Sequence, residues 1–305
     1  FFFHAHPATR DPLWSRGLGD VYKRQDKDIN ENAVYLAGVI GNPIAHSKSP
    51  KLHNYWLSKY KINGFYIPFS VTNDKLETSI KSLIELGFSG VNITIPHKTS
   101  VLSFADSITD RAALIGAANT LYFSKSGKIH ADNTDGYGFI QNIVDEIPDY
   151  DFYDKTALIY GAGGSARAIA SALLSNGVKE VGITNRTRSK AQIISENLGA
   201  KVSVVDSRAA PDTITKVDII INATSMGMVG QPDFSQPISR AKKTALVVDI
   251  VYNPLITGLI KEAKKLKLKT VGGIGMLINQ AVPGFEHWFQ KKPQVDEEIR
   301  RFIIE

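Results

Sequence analysis

The sequence predicts an α/β protein of two domains, and three observations carry that prediction. From Ala33 onward, short apolar runs alternate with amphipathic helical patterns, the βαβ rhythm of a parallel or mixed sheet. At Asn133-Thr134-Asp135-Gly136 the composition changes to a turn and a new helix, which places a domain boundary there. Beyond it, the buried strand Ala157-Leu158-Ile159-Tyr160 runs into a glycine-rich turn and a helix, the opening of a doubly wound domain.

Each element has a local reason. Val34 to Ile40 reads as the first strand, and Ser49-Pro50 opens a helix through about Tyr60, with serine at the N-cap and proline at the first helical position. Phe65 to Val71 is a second strand and Asp74 to Leu86 a helix. Gly90 to Ile95 alternates Val91, Ile93 and Ile95 with Asn92 and Thr94, so one face is apolar and the other offers hydrogen-bonding groups. Asp106 to Ile115 is expected to be helical, followed by strands at Leu121 to Phe123 and Ile129 to Ala131. In the second block, strands are expected at Val181–Thr184, Val202–Val205, Ile219–Asn222, Leu246–Ile250 and Lys269–Val271. Met276 to Phe289 reads as one long apolar helix and Val295 to Ile304 as a last one, both able to pack back onto the first domain.

Composition narrows the function classes. Hydrophobic content of 43% and charged content of 22% are those of a globular protein, and no apolar run reaches membrane-spanning length. Cysteine is absent, which removes disulfides, thiolate metal sites and a cysteine nucleophile, and fits a cytoplasmic location. The net charge of +6 is scattered rather than striped, so neither nucleic acid nor membrane is expected as a partner. His46 and His53 are too isolated for a metal site. The stretch from Ser15 to Gln25 resembles translated sequencing-adaptor sequence, and no signal-peptide pattern is present. We therefore treat residues 1–25 as non-native, with the native chain expected to begin near Asp26. Its four basic and two acidic residues account for a fall in net charge from +6 to +4.

Gly161-Ala162-Gly163-Gly164-Ser165 follows a strand and opens a helix, the setting in which free amides hold a pyrophosphate. The next strand ends in Asn185-Arg186-Thr187-Arg188-Ser189-Lys190, where an NAD site usually carries an acidic residue. A guanidinium there pairs with a 2′-phosphate, so NADP is favoured over NAD. Asn222 to Met228, including Thr224, ends another strand and is expected against the nicotinamide half, although the methionines fit plain packing equally well.

In the first domain, Gly41 to Pro50 places Ser47 and Ser49 near free helix amides, a combination suited to a carboxylate. Ser49 also has the ordinary reading of an N-cap. Lys98 follows Pro96 just past a strand end, where α/β proteins bind ligands, though taken alone it fits a surface charge better.

Together these segments resemble the shikimate dehydrogenase family. The resemblance rests on Gly41-Asn42-Pro43-Ile44-Ala45-His46-Ser47-Lys48-Ser49-Pro50, Asn92-Ile93-Thr94-Ile95-Pro96-His97-Lys98, Gly116-Ala117-Ala118-Asn119-Thr120 and Asn133-Thr134-Asp135-Gly136. In the second domain it rests on the glycine turn, Asn185-Arg186-Thr187, Asn222-Ala223-Thr224-Ser225, Asp249-Ile250-Val251-Tyr252-Asn253-Pro254 and Gly273-Ile274-Gly275-Met276-Leu277. The match runs in order from about Ala33 to the C-terminus. Ala118 where the family usually has valine, and Gly272, are small departures.

The resemblance implies reversible reduction of 3-dehydroshikimate to shikimate with NADPH, on the way to aromatic amino acids. It implies that Lys98 and Asp135 sit at the reacting oxygen, that Ser47, Ser49 and Tyr252 hold the carboxylate, and that Thr94, Asn119 and Gln280 contact ring hydroxyls. Gly161, Ala162, Gly163, Gly164, Ser165, Asn185, Arg186, Thr187, Arg188, Lys190, Thr224, Ile250 and Gly273 would form the cofactor site. Residues 33–134 with 276–305 would be the substrate-binding and catalytic domain, and 135–275 a Rossmann-type NADP-binding domain, in a monomer or homodimer. The rival readings are a quinate/shikimate dehydrogenase, a non-catalytic regulator that binds the same ligands, and a methyltransferase, which would want an acidic residue in place of Arg186.

Overall fold

Two six-stranded sheets, one mixed and one parallel, carry the fold; the structure is a computed structural model and describes residues 33–305. The adaptor-like segment 1–25 lies outside the described residues. The first sheet is built from β1 (Tyr35–Gly41), β2 (Gly64–Ser70), β3 (Gly90–Ile93), β4 (Ser107–Ile108), β5 (Thr120–Phe123) and β6 (Ile129–Asp132), in the order β2-β1-β3-β5-β6-β4. Pairing is parallel among β2, β1 and β3 and antiparallel from β3 through β5 to β6. Helices α1 (Ser49–Lys59), α2 (Leu76–Glu85) and α3 (Asp110–Ile115) connect these strands. Helix α4 (Asp135–Glu146) then leads into the second sheet.

The second sheet contains β7 (Thr156–Tyr160), β8 (Glu180–Thr184), β9 (Val202–Val204), β10 (Ile219–Asn222), β11 (Leu246–Asp249) and β12 (Lys269–Val271). Their order is β12-β11-β10-β7-β8-β9 with every pair parallel, which is the doubly wound dinucleotide-binding topology. Helices α5 (Gly164–Ser175), α6 (Arg188–Leu198), α7 (Ala210–Thr213) and α8 (Gly258–Lys265) accompany it. Strand order reverses between β7 and β10, so the glycine turn after β7 and the Asn222 loop after β10 flank the crevice where such folds bind ligands.

The chain ends in α9 (Ile274–Asn279), α10 (Val282–Phe289) and α11 (Glu297–Ile304). Ile278, Val282, Phe285, Trp288, Phe289, Ile299 and Ile303 share one core with Ala37, Val39, Leu52 and Trp56, so these helices do return to the first domain. Lys48 Nζ reinforces that return, donating to the Ile303 carbonyl at 2.5 Å. A separate link joins the two halves: Arg167 on α5 donates to the Ile115 carbonyl at 2.7 Å. No helix among the described residues is long and apolar enough to cross a membrane.

Four local expectations need correction. Strand β3 stops at Ile93 rather than Ile95, and the Ile95 side chain is exposed, so it does not extend the apolar face. The expected helix 106–115 is a two-residue strand followed by α3, capped by the Thr109 hydroxyl, which accepts from the Ala112 amide. Helix α1 has Lys48 rather than Ser49 at its N-cap; Ser47 supplies the turn oxygen, accepting from the Ser49 amide at 3.3 Å. The long helix 276–289 is two helices, because Pro283 cannot donate and its ring conflicts with the preceding turn. That break places Gln280 between α9 and α10.

Candidate active site

Helix α4 begins at Asp135, and its carboxylate is held on both oxygens. Lys98 Nζ lies 2.7 Å from Oδ2, and Asn119 Nδ2 donates to Oδ1 at 2.7 Å. Asp135 is almost fully buried, with Lys98 partly open to solvent. Ion pairs in this setting are held by geometry, since desolvation offsets much of the Coulomb gain. The loop after β3 delivers Lys98, and its carbonyl accepts from the Ala118 amide at 2.7 Å, which fixes the loop beside Asn119.

Asn119 is itself oriented by Thr134, whose amide donates to Asn119 Oδ1 at 2.9 Å. The Thr134 hydroxyl accepts from Asn119 Nδ2 at 3.0 Å and donates to the Gln280 carbonyl at 2.8 Å. Gln280 Oε1 lies 3.4 Å from Asn119 Nδ2, a long contact, while its amide donates to the Leu277 carbonyl. Gly138, one turn into α4, makes this seam possible: a Cβ there would lie 2.7 Å from both Cβ and N of Gln280.

The network runs on into the first domain. Thr120 Oγ1 donates to Asn119 Oδ1 at 2.9 Å, and Asn92 Nδ2 donates to Thr120 Oγ1 at 3.2 Å. The Tyr66 hydroxyl donates to Asn92 Oδ1 at 2.6 Å and is also in reach of the Ser49 hydroxyl. Burial pushes the Tyr66 phenol well above its usual range, so it stays neutral. Asn92 therefore spends its polar groups inside the protein rather than offering them to a ligand. Tyr66, Thr120 and Thr134 are members of this network that the sequence reading does not assign. Thr134 stands between two residues of a recognised segment, whereas Tyr66 carries no local mark of its place.

Of the remaining first-domain residues, Ser47, in the loop just before α1, and Thr94, directly after β3, are half-buried. Tyr252 is half-buried in the loop after β11, and burial raises its phenol pKa above the usual range. The hydroxyls of Thr94 and Tyr252 have no hydrogen-bond partner among the described residues and stand outside the network.

In the second domain, Gly161 turns the chain at φ +113°, and a Cβ there would lie 2.7 Å from the Ala223 carbonyl oxygen. Helix α5 starts at Gly164 with Gly163 at its N-cap and no side-chain cap, and a Cβ on Gly163 or Gly164 would meet nothing within 4 Å. Its first amides are thus available to an anion. Ala162 and Ser165 lie in the same turn. Asn185 Nδ2 closes the next turn on the Thr187 carbonyl at 2.9 Å. Arg186 and Lys190 are exposed without an ion-pair partner among the described residues, while Arg188 leans 3.7 Å from Asp206. Thr224 Oγ1 donates to Asn222 Oδ1 at 2.6 Å. Ile250 and Gly273 touch, a Cβ on Gly273 falling 2.2 Å from the Ile250 carbonyl oxygen. Met226 packs on the core beneath, and Met228 is exposed. The open glycine turn and the free guanidinium fit a dinucleotide that carries a 2′-phosphate.

Comparison with known proteins accords with this arrangement. Residues 39–121 match the shikimate dehydrogenase substrate binding domain, 142–274 the shikimate / quinate 5-dehydrogenase family and 273–297 the shikimate 5'-dehydrogenase C-terminal domain. The chain is 49% identical over 271 residues to shikimate dehydrogenase (NADP(+)) of Cereibacter sphaeroides (strain ATCC 17025 / ATH 2.4.3), covering 89% of this chain and 97% of that one. The chain belongs to the shikimate dehydrogenase family. Solved relatives of that family share the fold. Shikimate 5-dehydrogenase from Thermus thermophilus, in complex with NADP(H) and shikimate, aligns with a TM-score of 0.79 at 30% identity, over 88% of this chain and 98% of that one. Quinate dehydrogenase from Corynebacterium glutamicum in complex with NAD aligns with a TM-score of 0.83 at 30% identity, over 89% and 99%.

Proposed function

We propose that this protein catalyses the reversible reduction of 3-dehydroshikimate to shikimate with NADPH. The observation that carries the reading is the ion pair of Lys98 with an Asp135 carboxylate that Asn119 also holds. When bound, NADPH supplies a hydride to the ketone carbon. Negative charge then develops on the ketone oxygen, and the Lys98 ammonium stabilises it and delivers the proton. Asp135 aims that ammonium and accepts from the neighbouring ring hydroxyl. Asn119 and Gln280, with Thr94, hold the remaining hydroxyls, and Ser47, Ser49 and Tyr252 take the carboxylate. Gly161 to Ser165 take the pyrophosphate; Asn185, Arg186, Thr187, Arg188 and Lys190 surround the 2′-phosphate; Thr224, Ile250 and Gly273 border the nicotinamide half.

The same reading assigns residues 33–134 with 276–305 to substrate binding and catalysis, and 135–275 to NADP. It carries a cytoplasmic location, where NADPH is available, and a monomer or homodimer, because one chain supplies every group used.

Quinate is the second substrate to consider, since quinate dehydrogenase shares the fold. The exposed Arg186 favours NADP over NAD and so the first reading. The test is the fall in NADPH absorbance on adding 3-dehydroshikimate, repeated with NADH, and with quinate in the oxidative direction. Turnover only with quinate and NAD would replace the proposal, and no turnover with any pair would remove it.

A further inference from the structure

Outside the groups assigned to chemistry, the second domain holds a buried polar cluster at the ends of β10 and β11. Asp249 is fully buried, and its Oδ1 accepts from Asn222 Nδ2 at 2.9 Å and from the Val251 amide at 3.0 Å. Its Oδ2 accepts from the Thr257 hydroxyl at 2.6 Å. Asn222, also fully buried, turns its own Oδ1 to the Thr224 amide at 3.1 Å and the Thr224 hydroxyl at 2.6 Å, and its amide also donates to the Met226 carbonyl.

One carboxylate and one carboxamide thus join two loops that serve different ligands. The loop after β10 carries Thr224, on the cofactor side. The loop after β11 carries Ile250, on the same side, and Tyr252, on the substrate side. We infer that Asp249 and Asn222 are positioning residues that set the distance between the nicotinamide-side loop and Tyr252, and so the alignment of cofactor with substrate.

The inference rests on the proposed dehydrogenase reading, which the wild-type turnover assay tests separately. Burial raises the Asp249 carboxyl above its usual range, while Thr257, Val251 and Asn222 act in the opposite direction. The donors thus offset part of the cost of a buried charge and hold the acceptor in one place. A carboxylate of the same sheet offers a contrast. Asp218, just before β10 at the other end of the strands, accepts from the Thr156 amide and hydroxyl and from Lys242, and touches neither loop.

The test compares Asp249→Asn, Thr257→Val, Thr257→Ser and Asp218→Asn in the full-length protein. NADPH binding to each variant is measured directly, alongside kcat, KM for 3-dehydroshikimate and thermal stability. Small displacements of reacting groups cost on the order of tenfold to a hundredfold in rate. Asp249→Asn and Thr257→Val are expected to lower kcat about tenfold and raise the KM for 3-dehydroshikimate, with NADPH affinity within about twofold of wild type. Thr257→Ser, which keeps the hydroxyl, restores wild-type kinetics. Asp218→Asn lowers stability and leaves both kinetic constants unchanged. The inference is overturned if Thr257→Val changes stability alone, or if Asp218→Asn shifts kcat and KM as Asp249→Asn does. Thr257→Val decides the matter where Asp249→Asn does not fold.

Discussion

Asn119 donates to the one oxygen of Asp135 that Lys98 leaves free, so the carboxylate is pinned from two strand-end loops at once. An unpinned carboxylate at a helix start would share its time among rotamers, and the lysine with it. Asn119→Ala is therefore expected to lower kcat/KM for 3-dehydroshikimate by about tenfold to a hundredfold, the worth of a hydrogen bond to a charged group. Asn119→Asp should be worse, because a second carboxylate then faces the first across a hydrogen-bond distance. Steady-state kinetics on the two variants, with circular dichroism to check folding, measure this.

The proposed preference for NADP rests on Arg186. It is exposed and makes no ion pair among the described residues, unlike Arg188 beside Asp206. Arg186→Ala is expected to raise the KM for NADPH by about tenfold to a hundredfold, the loss of a charge-assisted pair, while the KM for NADH hardly moves. Equal change with both cofactors would mean that Arg186 does not read the 2′-phosphate.

Gly138 packs against Gln280, a proposed substrate contact. A methyl group there would press on Gln280, on the seam between α4 and the α9–α10 break. Gly138→Ala is expected to cost about 1–3 kcal/mol of stability through overpacking, and to raise the KM for 3-dehydroshikimate with little change for NADPH. Denaturant unfolding and kinetics on one preparation separate the two effects.

His53 predicts an acid sensitivity. Its ring is fully buried, stacked on Tyr66 with centroids 4.0 Å apart, and neither nitrogen has a hydrogen-bond partner among the described residues. Burial lowers its pKa from 6.5 to about 3. The folded state holds it neutral while the unfolded chain takes up the proton. Its contribution is thus intact above about pH 6.5 and is lost progressively as pH falls toward 3. At about pH 5 the loss is roughly 2 kcal/mol relative to neutral pH. His53→Phe should remove that part of the decline, seen in urea unfolding at both pH values; an unchanged decline would place the sensitivity elsewhere.

Much of this architecture is legible in the sequence because its signals are local. The glycine turn after β7 and the basic turn after β8 each state their own geometry, whereas the period-two alternation around Asn92 marks a strand but runs two residues past its end. Ser47 and Ser49 both stand out, but which oxygen caps the turn depends on backbone angles that the sequence does not print. Ser107–Ile108 is too short a strand to show a period, so it merges with the helix that follows. Pro283 marks the break near Gln280 and is outweighed by the apolar run around it. The roles of Tyr66, Asp249 and Thr257 are hidden for another reason: each acts through a partner brought near by folding. Asn92 with Tyr66 and Asp249 with Asn222 are such pairs, separated by 26 and 27 residues.

The central claim is that Lys98 transfers the proton in a reaction for which the rest of the chain binds NADPH and positions the substrate. It is tested most directly by measuring turnover of 3-dehydroshikimate and NADPH binding in wild type and Lys98→Met. Wild type is expected to turn over, and the variant to lose about 10²- to 10⁴-fold in kcat, the usual worth of a positioned general acid, while binding NADPH as wild type does. A variant that keeps its turnover, or a wild type that never reduces 3-dehydroshikimate, would contradict the account.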